Sequence, residues 1–343
     1  MTPPQSNTPG ADSSAAPTVA GIMPALDDAA HIGAAITSFL DQDHPGDLTI
    51  AVALGPSADG TDGVVEALAA VDERIVAVDN PSGRTAAGLN AALRAVDADV
   101  IVRVDAHCEL PPGYVARAVD TLHRTGAANV GGIQRAEGTS PYQRAVARAM
   151  TSRFGVGDSQ FHFGGDEGPT DTVYLGVFDG GALRAAGGFD ETLVRNQDYE
   201  LNWRLRQAGH QVWFDPSLSV RYRPRSSPTS LAKQYFQYGQ WKREVLRRHP
   251  QSVKPRQLVA PATLLGIAAG LAGAATGRRW MLVAPAVYAA AVATASAADA
   301  SSPSEAARLA GVYPTMHMSW GAGFLAGPSG DDEPPQASAE RQH

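Results

Sequence analysis

Between Val19 and Val104 the chain alternates short apolar runs with amphipathic stretches, and this alternation restricts the fold more than any other feature. Val19–Met23, Leu48–Leu54, Arg74–Val78 and Val100–Val104 have the character of strands. A stretch from Asp27 or Asp28 to Leu40, then Asp62–Val71 and Thr85–Val96, have that of helices. Strands and helices in alternation predict an α/β fold: a doubly wound, mostly parallel sheet with helices on both faces. The runs are apolar at consecutive positions, as strands covered on both faces require. Downstream, a helix that starts near Pro112 runs to His123, a strand covers Asn129–Gln134, and a helix extends from Pro141 to Arg153.

In open α/β sheets, ligands bind beyond the carboxyl ends of the strands. The run before Asp105 ends there, and Asp105 and His107 are spaced to reach one ion across a turn. Cys108 is the single cysteine, which excludes an internal disulfide and a cysteine-cluster metal site and suits a small buried side chain. A formal net charge of -7 argues against general nucleic-acid binding. Met1–Thr18 is rich in Pro, Ser, Thr and Ala and lacks a basic start followed by an apolar core. It is expected to be a disordered tail rather than a secretory leader, with the catalytic part in the cytoplasm.

The stretch "FGVGDSQFHFGGDEGPTDTVYLG" is glycine-rich and polar, and is expected to form a mobile loop near the acceptor, carrying His162, Asp166, Glu167 and Asp171. In "GGFDETLVRNQDYELNWRLRQAGHQVWFDP", Gly187 and Gly188 stop one helix and Asn196 caps the next, which Gly209 ends. Asp198 and Glu200 lie in its first turn, where negative charge is favoured, and the short helix aims its N-terminus into a cleft. Tyr235, Tyr238 and Trp241 recur at helical spacing, a pattern that usually marks core.

Leu258–Ala275 and Met281–Ala298 contain no charged residue and approach the roughly 20 residues needed to cross a bilayer. Arg243, Arg247, Arg248, Lys254 and Arg256 precede them, which favours the cytoplasmic side. A spanning hairpin would put Arg278 and Arg279 in the outer turn, against that preference; a monotopic or re-entrant arrangement avoids the conflict. A third stretch, Gly311–Gly327, is expected at the membrane interface, and Gly330–His343 is an acidic tail. The expected organisation is a tail over 1–18, a catalytic domain over 19–250, a membrane-associated helical region over 251–329 and a tail over 330–343.

Four blocks occur in order: the strand ending in Asp105-Ala106-His107, "GGFDE", "NQDYELNWRL" and "QYGQW". Together they resemble family 2 glycosyltransferases of the GT-A fold, and within them the succinoglycan-type exopolysaccharide sugar transferases. The resemblance covers about Val19 to His249. It implies that Asp105 and His107 stand at the family's Asp-any-Asp position and hold a divalent cation, Mn²⁺ or Mg²⁺, on the diphosphate of a nucleotide-sugar donor. A nitrogen ligand suits Mn²⁺ better. It implies that Asp198 is the general base of an inverting transfer. Pro24, Asp59, Arg84, Asn90, Arg103 and Asp105 fall on the donor side; Glu200, Gln237, Gln240, Trp241 and His162 fall on the acceptor side. The implied partners are a nucleotide sugar, with UDP-sugars the leading candidates, a lipid-linked or growing glycan, and the cytoplasmic face of the cell membrane; nucleic acid is not among them. The chain departs from the pattern at Gln197, where Glu is usual, at Gln240, where Arg is usual, and at Leu54, where an Asp that reads the base is usual. Those losses leave a catalytically silent, glycan-binding or scaffolding relative as the alternative. A nucleotidyltransferase would share the layout. A nicotinamide dehydrogenase fits worst, since no Gly-x-Gly-x-x-Gly follows the first strand.

Overall fold

The computed structural model describes residues 16–328, so the two expected tails lie outside it apart from residues 16–18. The elements run β1 (Val19–Ala25), α1 (Ile32–Leu40), β2 (Leu48–Leu54), α2 (Thr61–Ala69), β3 (Ile75–Asp79), α3 (Thr85–Ala95), β4 (Val100–Arg103), α4 (Tyr114–Thr125) and β5 (Asn129–Ala136). There follow α5 (Pro141–Met150), α6 (Arg153–Val156), α7 (Gln160–Phe163), β6 (Gly168–Pro169), β7 (Tyr174–Asp179), α8 (Gly180–Ala185), α9 (Gln197–Gln207) and β8 (Val212–Tyr222). The chain ends with α10 (Pro228–Arg248), α11 (Arg256–Ala275), α12 (Val283–Asp299) and α13 (Pro303–Ala326).

The strands form one mixed sheet in the order β3-β2-β1-β4-β7-β5-β8-β6. β1, β2, β3 and β4 are mutually parallel, as the apolar runs predict, and β5 is parallel to β8. β7 runs antiparallel between β4 and β5, and β6 is antiparallel to β8. On one face Ile32, Phe39, Val65, Tyr114 and Leu122 from α1, α2 and α4 pack on the odd-numbered side chains of β1. On the other, Leu89 and Leu93 of α3, Leu183 of α8 and Leu201 and Leu205 of α9 cover Ala20, Ile22 and Ile101. Each fully buried side chain of this size contributes about 1.5–3 kcal/mol, so the sheet is held from both sides.

Two sequence features set the local geometry at β5 and the helix after it. β5 shifts register against β8 between Gly131 and Ile133, and a Cβ at Gly132 would collide with the Leu218 carbonyl. The extra residues lie in β8, between Phe214 and Ser219, and glycine at 132 leaves room for their backbone. Helix α5 is set by Pro141 at its first position and by a capping box in which Ser140 accepts from the Gln143 N–H.

Two expectations change. The stretch read as one mobile loop carries α6, α7, β6 and the start of β7, and it is tethered. Asp171 pairs with Lys254 at 2.8 Å and Arg256 at 2.9 Å, and Glu167 accepts from Arg124 at 2.6 Å and the Trp213 indole at 2.8 Å. The first helix begins at Ile32, because Asp27 adopts a left-handed φ of 54° and Asp28 heads a turn. Gly311–Gly327 lies within and just past α13, which docks on α10 and α5. A Cβ at Gly239 would strike the Trp320 carbonyl, and one at Gly323 the Phe236 carbonyl, so the helices meet backbone to backbone. Tyr313 and Met316 of α13 are fully buried against Val146, Met150 and Leu231.

The helix pair α11–α12 differs from the rest. Arg256–Ala275 and Arg279–Asp299 are long and apolar enough to cross a membrane, with mean hydropathies of 1.8 and 1.7. Only 17% and 11% of those apolar stretches are buried, so they are not core helices of the folded body. Leu258, Leu265, Leu271, Trp280, Val283 and Val287 are all exposed.

Candidate active site

β1 and β4 are neighbours, while the chain leaves β1 towards β2 and β3 on the other side; the crevice between β1 and β4 is therefore the switch point of the sheet. The last ladder bond runs from the Val104 N–H to the Ile22 carbonyl at 3.1 Å. Beyond it, Val104, Ala106 and Cys108 stay buried while Asp105 and His107 turn outward. The Cys108 N–H donates to the Asp105 carbonyl at 2.9 Å and closes the turn. Asp28, after β1, reaches across the crevice, its Oδ1 3.7 Å from Nδ1 of His107. That carboxylate, followed by Asp105, raises the His107 pKa against the effect of burial.

Asp198 arrives from the opposite wall. Asn196 is left-handed, with a φ of 63°, a conformation asparagine tolerates. Its amide does not cap α9; it donates to the Tyr238 carbonyl at 3.2 Å and ties the turn to α10. Gln197 and Tyr199 are buried on either side, which leaves Asp198 directed into the cleft with 43% of its side chain exposed.

Arg103, at the end of β4, joins the two walls. Its Nε and Nη2 both donate to Oδ1 of Asp105, at 3.0 and 2.9 Å, and its Nη1 donates to Oδ1 of Asp198. Burial opposes its charge, yet the two carboxylates hold the guanidinium pKa above its ordinary value. Burial within the cleft raises the pKa of Asp198; Arg103 works against that rise and Asp105 adds to it. All the bonds from Arg103 fall on Oδ1 atoms, so among the described residues Oδ2 of each carboxylate remains for a ligand.

The donor atoms of Asp105, His107 and Cys108 lie within 4.8 Å of one another. Burial, then Asp105, pushes the Cys108 thiol up to about 12, which makes it the weakest ligand candidate of the three. A carboxylate oxygen and an imidazole nitrogen remain, a set that fits Mn²⁺ and, through the oxygen, Mg²⁺.

From these carboxylates a cleft of about 1410 Å³ continues along α10 to α11, α12 and α13. Gln134, beyond the β8 bulge, and Tyr222 line it, with Arg195, Arg225, Gln234, Tyr235, Tyr238 and Lys242. Gln234 donates at 3.0 Å to the hydroxyls of both Tyr222 and Tyr238, which fixes that wall. Apart from Lys242, which with Arg243 is a candidate substitute for the Arg missing at Gln240, none of these residues was singled out for the site by sequence, although the 7-residue step from Tyr235 to Lys242 keeps both on one helical face.

The other expected site residues are placed differently. His162 lines the cleft half-buried, with its Nδ1 buried and unpartnered, and desolvation, with Arg256 nearby, drives its pKa to about 3. It is a neutral wall residue. Glu200 is buried on the far side of α9, held by Arg204 at 2.8 Å and His249 at 2.9 Å, so its carboxylate serves an ion-pair network and not the cleft. Trp241 packs with Leu193, Tyr199 and Val245. Gln240 is buried and donates to the Gly327 carbonyl at 3.1 Å, and Gln237 accepts from Arg195 at 3.4 Å; none of these three lines the cleft.

On the donor side, Asp59 is spent on the Thr61 hydroxyl at 2.6 Å and the Ala29 N–H at 2.9 Å, which tie the loop after Pro24 to the loop after β2. Asn90 is buried, and its amide brackets the Phe189 backbone at 2.8 Å on both sides and holds Glu191 at 2.9 Å. Arg84 stands at the start of α3 and reaches the Glu191 carbonyl at 3.5 Å. Of the donor-side set, Arg103 and Asp105 line the cleft; Pro24, Asp59, Arg84 and Asn90 do not.

Lys242 is buried, with Nζ 3.1 Å from the centre of the Tyr199 ring. Burial, then Arg256, lowers its pKa from 10.5 to about 7, while the ring face opposes this. The folded chain thus binds fewer protons than the unfolded chain between those values, and stability rises with pH across that window. Lys242→Met is expected to stabilise the fold by about 1–4 kcal/mol near neutral pH or below, with the gain fading as pH approaches 10.5. Thermal melts of both proteins across that range check this, and a gain that grows with pH contradicts it.

With this geometry in place, comparisons with known proteins are informative. The sequence model described as "Glycosyl transferase family 2" matches residues 22–181. The succinoglycan biosynthesis protein ExoA of Rhizobium meliloti (strain 1021) is 32% identical over 266 residues, 77% of this chain and 80% of its own. A dolichyl N-acetyl-alpha-D-glucosaminyl phosphate 3-beta-D-2,3-diacetamido-2,3-dideoxy-beta-D-glucuronosyltransferase of Methanococcus voltae is 24% identical over 236 residues, 66% of this chain and 73% of its own. Among solved structures, the mannosyltransferase PcManGT from Pyrobaculum calidifontis, in complex with GDP-Man and Mn²⁺, aligns with a TM-score of 0.59 at 22% identity. That alignment covers 93% of this chain and 90% of that one and establishes the fold as GT-A-like.

Proposed function

This chain belongs to glycosyl transferase family 2, and from that premise we propose that it transfers one sugar, with inversion, from a nucleotide-sugar donor to a lipid-linked or growing glycan at the cytoplasmic face of the membrane. The observation that carries the proposal is the meeting of Asp105 and Asp198, from opposite walls of the switch-point cleft, on the single guanidinium of Arg103. One carboxylate faces the leaving group and the other the incoming hydroxyl.

In the transfer, Oδ2 of Asp198 takes the proton of the acceptor hydroxyl as that oxygen bonds to the anomeric carbon. The bond from that carbon to the diphosphate breaks, and its electron pair leaves with the diphosphate. A raised Asp198 pKa suits a base that must hold a proton briefly. Arg103 keeps two like charges in one cleft and fixes the orientation of Asp198. Asp105 and His107 would hold a divalent cation, Mn²⁺ or Mg²⁺, which when bound supplies positive charge to the leaving diphosphate. The neighbouring mannosyltransferase holding GDP-Man and Mn²⁺ supports this assignment of cation and donor class, and the Methanococcus relative, whose name gives a dolichyl phosphate sugar, supports a lipid-linked acceptor. UDP-sugars have no particular support, since Leu54 stands where an Asp reading the base would stand.

The test offers labelled UDP-, GDP- and dTDP-sugars, with Mn²⁺ and a lipid-linked glycan, to the purified full chain in nanodiscs. One donor is expected to transfer its sugar with inverted anomeric configuration. Retention of configuration, or no transfer from any donor, overturns the proposal, and the second result favours a silent glycan-binding relative.

A further inference from the structure

We propose that Lys242 is a carbamylation site, its Nζ taking up carbon dioxide in the wall of the cleft to give a carboxylate held between Arg256 and Lys254. The site goes beyond the transferase reading. It needs neither donor nor acceptor, so the failure of either inference leaves the other standing.

The first observation is an amine without a counter-ion. Lys242 lies on α10, is 7% exposed, and lines the cleft. Among the described residues it has no hydrogen bond and no carboxylate within ion-pair reach; its Nζ meets the face of the Tyr199 ring. A buried ammonium so placed loses its hydration, and a ring face offsets only part of that loss. The neutral amine, which is the nucleophilic form, is therefore favoured, in keeping with the lowered pKa. The chain has two other lysines: Lys233 is exposed and Lys254 is paired with Asp171.

The second observation is an excess of positive charge at the same place. The Tyr199 hydroxyl donates to the Ser252 carbonyl at 2.7 Å and accepts from Nε2 of Gln257 at 3.3 Å. The ring that carries Lys242 on its face is thus fixed at its edge to the turn that presents Lys254 and Arg256. Those two cations share Asp171, at 2.8 and 2.9 Å. Asp158, the second partner of Arg256, is 75% exposed, so water screens its charge. One buried carboxylate serves two cations before Lys242 is counted. A third cation is opposed there, and an anion is favoured. Carbon dioxide meets both conditions, since it reacts with a neutral amine and yields an anion. The nitrogen lone pair bonds to the carbon, one C=O electron pair moves onto its oxygen, and the nitrogen releases one proton to water. The carbamate nitrogen keeps one N–H for the Tyr199 ring. Its carboxylate can accept from Arg256, which lines the same cleft. That wall then presents an acceptor in place of a donor.

The experiment incubates the full chain in phosphatidylcholine nanodiscs with isotope-labelled bicarbonate, traps carbamates with a trialkyloxonium salt and locates the label by peptide mass spectrometry. Label is expected on Lys242 and not on Lys233 or Lys254. Arg256→Met is expected to lower labelling of Lys242 about tenfold or more, as loss of a charge-assisted hydrogen bond does, and Arg256→Lys to keep most of it. If Arg256→Met lowers the melting temperature, Lys254→Met replaces it, with a change in the same direction expected. At equal pH and ionic strength, bicarbonate should raise the melting temperature of the parent and not that of Lys242→Met. Absence of label on Lys242 or equal label on Lys233 overturns the site. So does unchanged labelling in the variant that lacks the cation, an equal loss in Arg256→Lys and Arg256→Met, or an equal bicarbonate shift in parent and Lys242→Met. No arm reads sugar transfer, so none of these results bears on the transferase reading.

Discussion

Asp198→Asn is expected to lower kcat by about 10²–10⁴-fold, the usual contribution of a positioned general base, with little change in donor KM. The asparagine Oδ1 can still accept from Arg103 Nη1, so the side chain keeps its place in the cleft. What is lost is the capacity to take a proton. In the parent, burial places the Asp198 pKa above its ordinary value, so activity should fall on the acid side at a higher pH than an exposed aspartate would give. In the variant that acid limb should flatten. Steady-state kinetics across pH decides the matter: a variant within about threefold of the parent, or one with an intact acid limb, removes Asp198 from the base role.

Asp105→Ala is expected to cost about 10²–10³-fold in kcat/KM, as loss of a group that stabilises developing charge commonly does. It should also raise the half-saturating Mn²⁺ concentration about 10–100-fold. Asp198→Asn should leave the Mn²⁺ requirement alone, and the contrast separates the two carboxylates that Arg103 joins. Equal Mn²⁺ curves for Asp105→Ala and the parent would place the ion elsewhere. Chelation of divalent ions should abolish transfer by the parent and be reversed by added Mn²⁺ or Mg²⁺.

The first four strands were legible because each is a short apolar run with a helix behind it, and burial on both faces leaves that signature. β7 was hidden, since it begins inside a glycine- and aspartate-rich stretch and carries Gly176. β8 was hidden by Asp215 and Pro216 at its bulge, which break its alternation. Asp105, His107 and Asp198 could be nominated from sequence because they stand at chain positions that secondary structure must expose: a strand end and a first helical turn. Glu200 shows what helical spacing already contained. Two residues are about 200° apart on a helix, so Asp198 and Glu200 could not share a cleft. The stripe Tyr235, Tyr238, Trp241 carries the same lesson. Steps of three drift by about 60° each, and by Trp241 the stripe has turned from the cleft into the core, whereas Lys242 has not. Which wall α10 presents depends on α13, and no local pattern in either helix states that they dock.

That docking has a mechanical result. The hairpin of α11 and α12 leaves the catalytic body after α10 and returns through α13, and the glycine contacts at Gly239 and Gly323 lock the outgoing and incoming helices together. A pair of rods pinned at both feet to one block cannot swing by itself. Any surface that holds the rods therefore holds the whole block, Asp198 included, in one fixed relation to it.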